Sequence, residues 1–190
     1  ADLGAEKFFD IKCRMGGFRP DAVVLVATVR ALKYNGGVAK ADLQEENLEA
    51  LERGIPNLLK HIETITEVYH LPVVVAINKF PTDTDAELAL VREKCKEMGV
   101  NVALSDVWAS GGAGGEELAE EVVRLCEAES KMEFAYDTKT SIKEKIEAIA
   151  KKVYGADGVD YALKADREIK NLEEIGLSEL PICMAKNQYS

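Results

Sequence analysis

Three short apolar runs constrain the fold of this chain more than any other feature. They cover residues 21–27, 71–77 and 100–104, and the third run is the weakest. Nearly continuous apolar runs of this length are typical of strands that are buried on both faces, as in a parallel sheet. The runs therefore predict three strands of a parallel sheet.

Helical patterns separate these runs. Leucine and isoleucine recur every three or four residues over 48–65, and Thr84 and Glu87 form a capping box for a helix over 84–98. A further helix is predicted around residues 118–126. Because the connections are long enough for helices, the strands pair in parallel through right-handed crossovers. The predicted fold class is α/β, an open and mostly parallel sheet with helices on both faces.

The pattern changes after about residue 130, where two short helices and then a strand at 180–185 are predicted. We therefore predict a sheet segment with ligand-binding loops over 1–130. Residues 131–190 are predicted to be the start of a smaller C-terminal segment of helical and mixed structure. A boundary near Pro56 is the alternative.

The charge and the apolar pattern exclude two classes of partner. The chain has 190 residues with 24 basic and 34 acidic side chains, a formal net charge of −10. A phosphate-binding surface needs clustered basic residues, so no nucleic acid is expected to bind. No apolar run approaches the ~20 residues of a membrane span, and no signal peptide is visible. The expected location is intracellular.

Cysteine and histidine usage argues against a metal site. The four cysteines stand far apart in the sequence, and neither of the two histidines has a second strong ligand within helical reach. A zinc site and a serine–histidine triad are therefore not expected. The cysteines are expected to be reduced thiols, and no metal ligand is assigned.

Ligands of open α/β sheets bind beyond the carboxyl ends of the strands. After the second run, Asn78 and Lys79 resemble the start of the base-reading Asn-Lys-x-Asp loop of GTP-binding proteins. Pro81 stands where the aspartate of that loop would hold guanine. Two interpretations stay open: the loop borders a nucleotide or another flat heterocycle, or Asn78 is a turn residue that closes a strand.

Two aromatic residues follow predicted strands. Phe80 and Trp108 lie in loops that continue with polar or glycine residues, where a core aromatic is less expected. Two such rings can hold a planar ring system between them, with stacking worth ~1–3 kcal/mol per ring. The alternative, which periodicity alone favours, is that each ring caps the core under its loop.

The glycine-rich run 111–115 does not form a phosphate loop. It lacks the lysine and the Ser/Thr of the Walker spacing, and Glu116 and Glu117 occupy the helix start where an anion would bind. The run is expected to allow close backbone approach or loop movement. The possible anion contacts are instead Thr28, Arg30, Lys33 and Lys79, with a solvated surface as the alternative for the lysines.

Several long motifs resemble those of the formate–tetrahydrofolate ligase family. They extend over essentially the whole chain and comprise residues 1–14, 20–33, 46–48, 78–84, 107–109, 153–157 and 180–186. The short form of residues 34–40 resembles bacterial members. The resemblance implies an ATP-binding ligase of one-carbon metabolism with a fold like that of the P-loop NTPases.

The chemistry of the family is implied by the same resemblance. Its members join formate to tetrahydrofolate with ATP and magnesium. Formate attacks the terminal phosphate to give formyl phosphate, and a folate amine nitrogen then attacks the activated carbonyl. Members are cytoplasmic, are usually homotetramers and are helped by a monovalent cation.

The resemblance also assigns a slot to this chain. The family's aromatic pair, which holds the pterin or purine ring, falls on Phe80 and Trp108, with Leu104 and Pro81 lining the slot and Asn78 beside it. The family's Walker-type loop and the arginine for formyl phosphate are not in this sequence, so no catalytic residue is assigned. The chain is expected to be an inactive middle-to-C-terminal fragment of the ligase. The alternatives are a non-catalytic nucleotide-binding or regulatory module and a purely structural domain.

Overall fold

The computed structural model describes residues 4–185, whose contacts divide them into two units. The sheet unit comprises residues 20–131, and the second unit comprises residues up to 19 together with those from 132 onwards. The predicted division into 1–130 and 131–190 stays a prediction. The contacts group the residues before Pro20 with the C-terminal part of the chain.

The helices of the described residues alternate with three strands in the sheet unit. The α-helices are α1 (Ala5–Lys7), α2 (Arg14–Gly16), α3 (Val29–Asn35), α4 (Leu48–Glu63), α5 (Asp85–Glu97), α6 (Val107–Ser110), α7 (Glu116–Cys126), α8 (Ile142–Ala148) and α9 (Leu163–Glu174). Shorter π-helical and 3₁₀ segments are Phe8–Cys13, Lys40–Asp42, Thr64–Val68, Gly111–Gly115 and Ile149–Val153. Within residues 4–185, no helix combines the length and apolar character that a membrane crossing requires.

The strands form one parallel sheet. They are β1 (Val23–Ala27), β2 (Val73–Asn78) and β3 (Asn101–Ser105), with β2 between the other two. All three lie within one or two residues of the apolar runs that predict them. The last residue of β1, Ala27, pairs with Ile77 of β2, and Ile77 pairs with Leu104 of β3. The three carboxyl ends therefore lie side by side at one edge of the sheet.

One face of the sheet packs against α7. Val74 of β2, Ala103 of β3 and Leu125 of α7 form a buried apolar cluster. Leu118 and Val122, two turns and one turn before the end of α7, pack against the same cluster. The apolar stripe of α7 thus covers the middle of this face.

The opposite face is covered by α4 and α5, which contact β1 and β3. Val75 and Ile77 alternate with Val74 along β2, so they point to this second face, where both are fully buried. Leu51 and Ile55 of α4 are also buried. The predicted open α/β sheet with helices on both faces is confirmed.

The prediction for the first strand is wrong on one of its two faces. The run 21–27 predicts burial on both faces, but Val24 and Val26 of β1 are 40% and 63% exposed. Their register partners Val74 and Ala76 in β2 are buried. The reason is that α7 packs on β2 and β3, and the described residues leave the same side of β1 open.

Two glycines allow α3 and α4 to pack with their backbones in contact. A Cβ atom added to Gly54 would lie 1.9 Å from the carbonyl oxygen of Leu32. One added to Gly36 would lie 1.8 Å from that of Ala50. Since side-chain atoms cannot approach backbone oxygens so closely, any larger residue would push the helices apart.

The second unit buries a lysine among backbone carbonyl groups. Nζ of Lys145 in α8 donates to the carbonyl oxygens of Thr138 at 3.4 Å, of Leu180 at 2.8 Å and of Ser178. Burial lowers the pKa of Lys145, because removal from water disfavours the charged ammonium. These bonds hold the segment that follows α9 against α8.

The predicted strand at 180–185 is wrong, since these residues form no strand in the part of the chain that the structure describes. Side chains of the second unit bind this backbone instead. The carbonyl oxygen of Leu180 accepts from Lys145, and the amide of Ile182 donates to the phenolic oxygen of Tyr136 at 2.9 Å. An apolar run whose backbone groups have such side-chain partners needs no sheet to satisfy its hydrogen bonds.

We predict that Gly54→Ala lowers the free energy of unfolding of the sheet unit by about 3 kcal/mol or more, because the added methyl overlaps a backbone oxygen. Urea unfolding followed by circular dichroism measures the change. Gly112→Ala is the matched control: its added Cβ meets nothing within 4 Å. Equal stability of the two variants would contradict the proposed close packing of α3 and α4.

Candidate functional site

The site residues predicted from the sequence lie at the carboxyl edge of the sheet. Thr28 follows β1, Asn78 ends β2, and Ser105 ends β3 as the register partner of Asn78. The amide of Lys79 donates to the carbonyl oxygen of Ser105 at 3.1 Å. Asn78 is exposed at this edge, so its interpretations as a turn residue and as a ligand contact both stay open.

The loop after β2 forms a tight turn. The amide of Phe80 donates to Oδ2 of Asp83 at 2.9 Å, and the amide of Asp83 donates to the carbonyl oxygen of Phe80 at 2.9 Å. Pro81 is exposed at the turn. Thr84 follows as the N-cap of α5 and forms the predicted capping box with Glu87. The turn therefore connects the end of β2 rigidly to the start of α5.

Arg30 in the first turn of α3 covers this loop. Its Cζ atom lies 4.3 Å from the centroid of the Phe80 ring, and its Nη2 atom donates to Oγ1 of Thr82 at 3.0 Å. The hydroxyl of Thr28 accepts from the amide of Ala31 at 3.2 Å and so caps α3. Two predicted anion contacts thus already make bonds within the protein.

Two polar atoms at this loop are buried without a hydrogen-bond partner: Nε of Arg30, which belongs to α3, and Oδ1 of Asp83, which belongs to the loop. Burial raises the pKa of Asp83, and this effect exceeds the lowering by the hydrogen bond from Phe80. Buried unpaired polar atoms are rare in folded proteins and cost about 1–3 kcal/mol each. Titratable groups whose pKa is shifted by burial are enriched at functional sites.

Lys33 lies in a buried ion pair. Its Nζ atom is 2.8 Å from Oε1 of Glu87 and donates to the carbonyl oxygen of Glu45 at 2.7 Å. The two charged side chains are 1% and 0% exposed. Since its ammonium is already paired and out of solvent, we leave Lys33 out of the candidate anion contacts.

Glu87 accepts further hydrogen bonds from the backbone. The amides of Asn47 and Thr84 donate to its two carboxylate oxygens, each at 3.1 Å. Burial by itself raises the pKa of Glu87, but the hydrogen bond from Lys33 and those from the two amides outweigh burial. The pKa of Glu87 therefore lies below the ordinary value for glutamate.

The third loop presents Trp108 to solvent. Trp108 lies on the short helix α6 and is 85% exposed, so it does not cap the core. Leu104, near the end of β3, is half-buried. No ring contact joins Phe80 and Trp108 in the described structure, and their action as two walls of one slot stays a prediction.

The glycine-rich run folds back on the start of α6. The amide of Asp106 donates to the carbonyl oxygen of Gly114 at 3.0 Å, and a Cβ added to Gly114 would lie 2.4 Å from the carbonyl oxygen of Asp106. The predicted close backbone approach is thus observed at Gly114. Glu116 and Glu117 lie in the first turn of α7, as the sequence indicates.

The structure brings together Arg30, Phe80, Thr82 and Asp83, of which the sequence analysis assigns roles to the first two only. One sequence signal could have indicated Asp83. An aspartate three residues after Phe80 is suited to accept a hydrogen bond from the backbone amide at the start of a turn. Arg30 and Thr82 are 52 positions apart in the chain, with α4 and β2 between them, so no local pattern indicates their contact. Within residues 4–185, no three His, Cys, Asp or Glu side chains converge as metal ligands.

Comparison with protein families gives a match over the chain. Residues 1–190 match the family model described as formate–tetrahydrofolate ligase. The matched range contains all three strand ends and therefore the residues of the candidate site. It also contains the second unit, so both units belong to the same family match.

We predict that Glu87→Gln lowers the free energy of unfolding at neutral pH by about 3–5 kcal/mol, because it leaves the buried charge of Lys33 without a counter-charge. Urea unfolding measures the change. The matched control is Glu49→Gln, which removes the exposed ion pair with Arg53. This control changes the stability by less than about 1 kcal/mol.

The difference in unfolding free energy between the wild type and Glu87→Gln depends on pH. Since the folded state lowers the pKa of Glu87, its charge stabilises the fold fully above the ordinary glutamate pKa of about 4.3. That stabilisation is lost as the pH falls through the lower folded-state pKa. The difference between wild type and Glu87→Gln therefore shrinks in acid, and a difference independent of pH would contradict the ion pair.

Proposed function

Because this chain belongs to the formate–tetrahydrofolate ligase family, we propose that the segments at the carboxyl ends of β2 and β3 form a ring-binding slot of that ligase. Phe80 and Trp108 are the two walls of the slot, which takes the pterin ring of tetrahydrofolate or the adenine ring of ATP. Leu104 and Pro81 line it, and Asn78 lies at its border. Four of the five residues belong to the ends of β2 and β3 or to the loop after β2, and Trp108 lies on α6, the short helix that follows β3.

The exposure of Trp108 is the observation that carries this proposal. A large apolar ring that is 85% exposed leaves a stacking surface without a partner in the described residues. Aromatic rings stack on flat heterocycles with useful energy because both partners lose contact with water. Phe80 supplies a second ring at the same edge of the sheet, in the loop that follows the neighbouring strand β2.

The reaction of the ligase needs two steps, because formate is a poor electrophile. An oxygen of formate attacks the terminal phosphorus of ATP, and ADP leaves as formyl phosphate forms. The amine nitrogen of tetrahydrofolate then attacks the formyl carbon, phosphate leaves with the electrons of the broken C–O bond, and the nitrogen releases its proton. The slot contributes binding and orientation of a ring, so no residue of this chain is assigned to bond making.

The candidate anion contacts differ in their availability. Lys33 is paired with Glu87, and Oγ1 of Thr28 already accepts the amide of Ala31. Arg30 contacts Phe80 and Thr82. Lys79 is half-buried at the edge of the sheet and is the residue we retain for contact with an anionic part of a substrate.

We also propose that the chain is a middle-to-C-terminal part of a bacterial ligase that acts in the cytoplasm as a homotetramer. Magnesium and a monovalent cation are expected to serve the ligase. We assign no magnesium ligand in this chain, because no suitable side-chain cluster lies within residues 4–185. Phosphate binding is expected to depend on a Walker-type loop, a pattern that these 190 residues do not contain.

We predict that Phe80→Ala and Trp108→Ala each weaken binding of tetrahydrofolate or ATP by about 5- to 150-fold. This range corresponds to the loss of ~1–3 kcal/mol of stacking on one ring. Titration calorimetry measures both variants. For Phe80→Ala, quenching of Trp108 fluorescence is a second readout, because the chain has one tryptophan.

Val123→Ala is the control for these variants, since Val123 is an exposed apolar residue of α7. It is expected to bind both ligands as the wild type does. Trp108→Ala should unfold at the wild-type temperature in a circular-dichroism melt, because its ring packs on little. Unchanged affinity in both aromatic variants would contradict the slot, and binding of ATP without tetrahydrofolate would favour a nucleotide-binding module.

A separate prediction concerns catalysis by the isolated chain. We expect the purified 190-residue chain to form no formyltetrahydrofolate from formate, tetrahydrofolate and magnesium ATP. Phosphoryl transfer relies on groups that cradle the phosphates, and this sequence has no such loop. Chromatography of the reaction products tests this, with a full-length family member as the positive control. Turnover above the rate without protein would contradict the prediction.

A further inference from the structure

The ring of Phe80 has a guanidinium group on one of its two faces. Cζ of Arg30 lies 4.3 Å from the ring centroid, a distance at which a planar guanidinium stacks on an aromatic ring. Nη2 of Arg30 also donates to Oγ1 of Thr82 at 3.0 Å. One side chain therefore holds both the ring and the residue two positions beyond it.

The position of Arg30 is determined by α3. Arg30 is the second residue of this helix, and the N-cap Thr28 accepts the amide of Ala31. One turn further along, Lys33 is paired with Glu87 in the first turn of α5. The backbone of Arg30 is thus held at both ends of one helical turn.

The backbone of Phe80 is held from the side of α5. Its amide and its carbonyl group both bond to Asp83, and Thr84 then caps α5. Arg30 and Phe80 are therefore attached to two helix starts, which the pair of Lys33 and Glu87 connects. This arrangement aligns the guanidinium with the ring without help from a ligand.

Two nitrogen atoms of the Arg30 guanidinium are unavailable to an anion. Its Nε atom is buried, and Nη2 already donates to Thr82. A buried nitrogen cannot reach a phosphate or a carboxylate unless the loop moves. The contacts of Arg30 are thus those of a residue that supports Phe80.

We propose that Arg30 is a positioning residue, which holds the Phe80 ring so that its other face is presented to the bound heterocycle. This inference rests on the proposed slot. An anion contact needs a charge from the side chain, whereas positioning of the Phe80 ring needs a planar group. Lysine keeps the charge but has neither the planar stack nor the fork that reaches Thr82.

The test compares Arg30→Lys and Arg30→Met with the wild type, using ligands with and without anionic groups. The uncharged probes are 6-methyltetrahydropterin and adenosine, and their anionic counterparts are tetrahydrofolate and ATP. Quenching of Trp108 fluorescence measures each dissociation constant. Arg53→Lys is the matched control, because Arg53 is an exposed arginine of α4 that pairs with Glu49.

For the uncharged probe that the wild type binds, we expect both Arg30 variants to weaken the affinity by about 5- to 30-fold. The affinity for its anionic counterpart is expected to fall by the same factor. Arg53→Lys should change neither. The inference is overturned if Arg30→Lys binds the uncharged probes as the wild type does. An anion contact would instead weaken tetrahydrofolate or ATP alone, and Arg30→Lys would retain much of the affinity that Arg30→Met loses.

A measurement without ligand keeps the inference separate from the proposed slot. Fluorine NMR of the chain labelled with 4-fluorophenylalanine reports the order of the Phe80 ring, with the resonance assigned by Phe80→Leu. One sharp Phe80 resonance is expected in the wild type and a broadened or shifted one in Arg30→Lys. An unchanged resonance overturns the role of Arg30. If neither uncharged probe binds the wild type, the slot fails, and the NMR comparison still decides whether Arg30 positions the ring.

Discussion

One buried carboxylate, that of Glu87, connects three helices of the sheet unit. It accepts hydrogen bonds from Nζ of Lys33 in α3, from the amide of Asn47 that caps α4, and from the amide of Thr84 that caps α5. A buried carboxylate is costly unless all of these partners are present. The starts of α4 and α5 and the middle of α3 therefore have to meet at this point.

The candidate site depends on that meeting point. Arg30 lies one turn before Lys33, and Phe80 lies in the turn that leads into Thr84, so the charge pair sets the distance between guanidinium and ring. The close packing of α3 on α4 at Gly54 supports the same arrangement. The loop after β3 is held differently, by backbone contact between Asp106 and Gly114, and it leaves Trp108 in solvent.

Much of the sheet unit could be predicted because its signals are local. A short apolar run predicts a strand, and Thr84 with Glu87 predicts a helix start, since both depend on neighbours along the chain. The errors arose where burial depends on distant elements. Val26 has the sequence of a core residue, yet it is exposed because no described helix covers its side of β1. Residues 180–185 have the sequence of a strand, yet side chains such as Lys145 satisfy their backbone.

The sequence by itself determined the fold class, the positions of the three parallel strands in the chain and the family. Apolar periodicity and long motifs carry that information locally. Only the tertiary structure decided the roles of the charged residues. Lys33 and Arg30 look alike in sequence, as basic residues three positions apart after the first apolar run, but Lys33 is buried against Glu87 and Arg30 lies over the ring of Phe80. The physical reason is that the energy of a charge depends on its partners and its exposure to water, and both are set by residues far away in the chain.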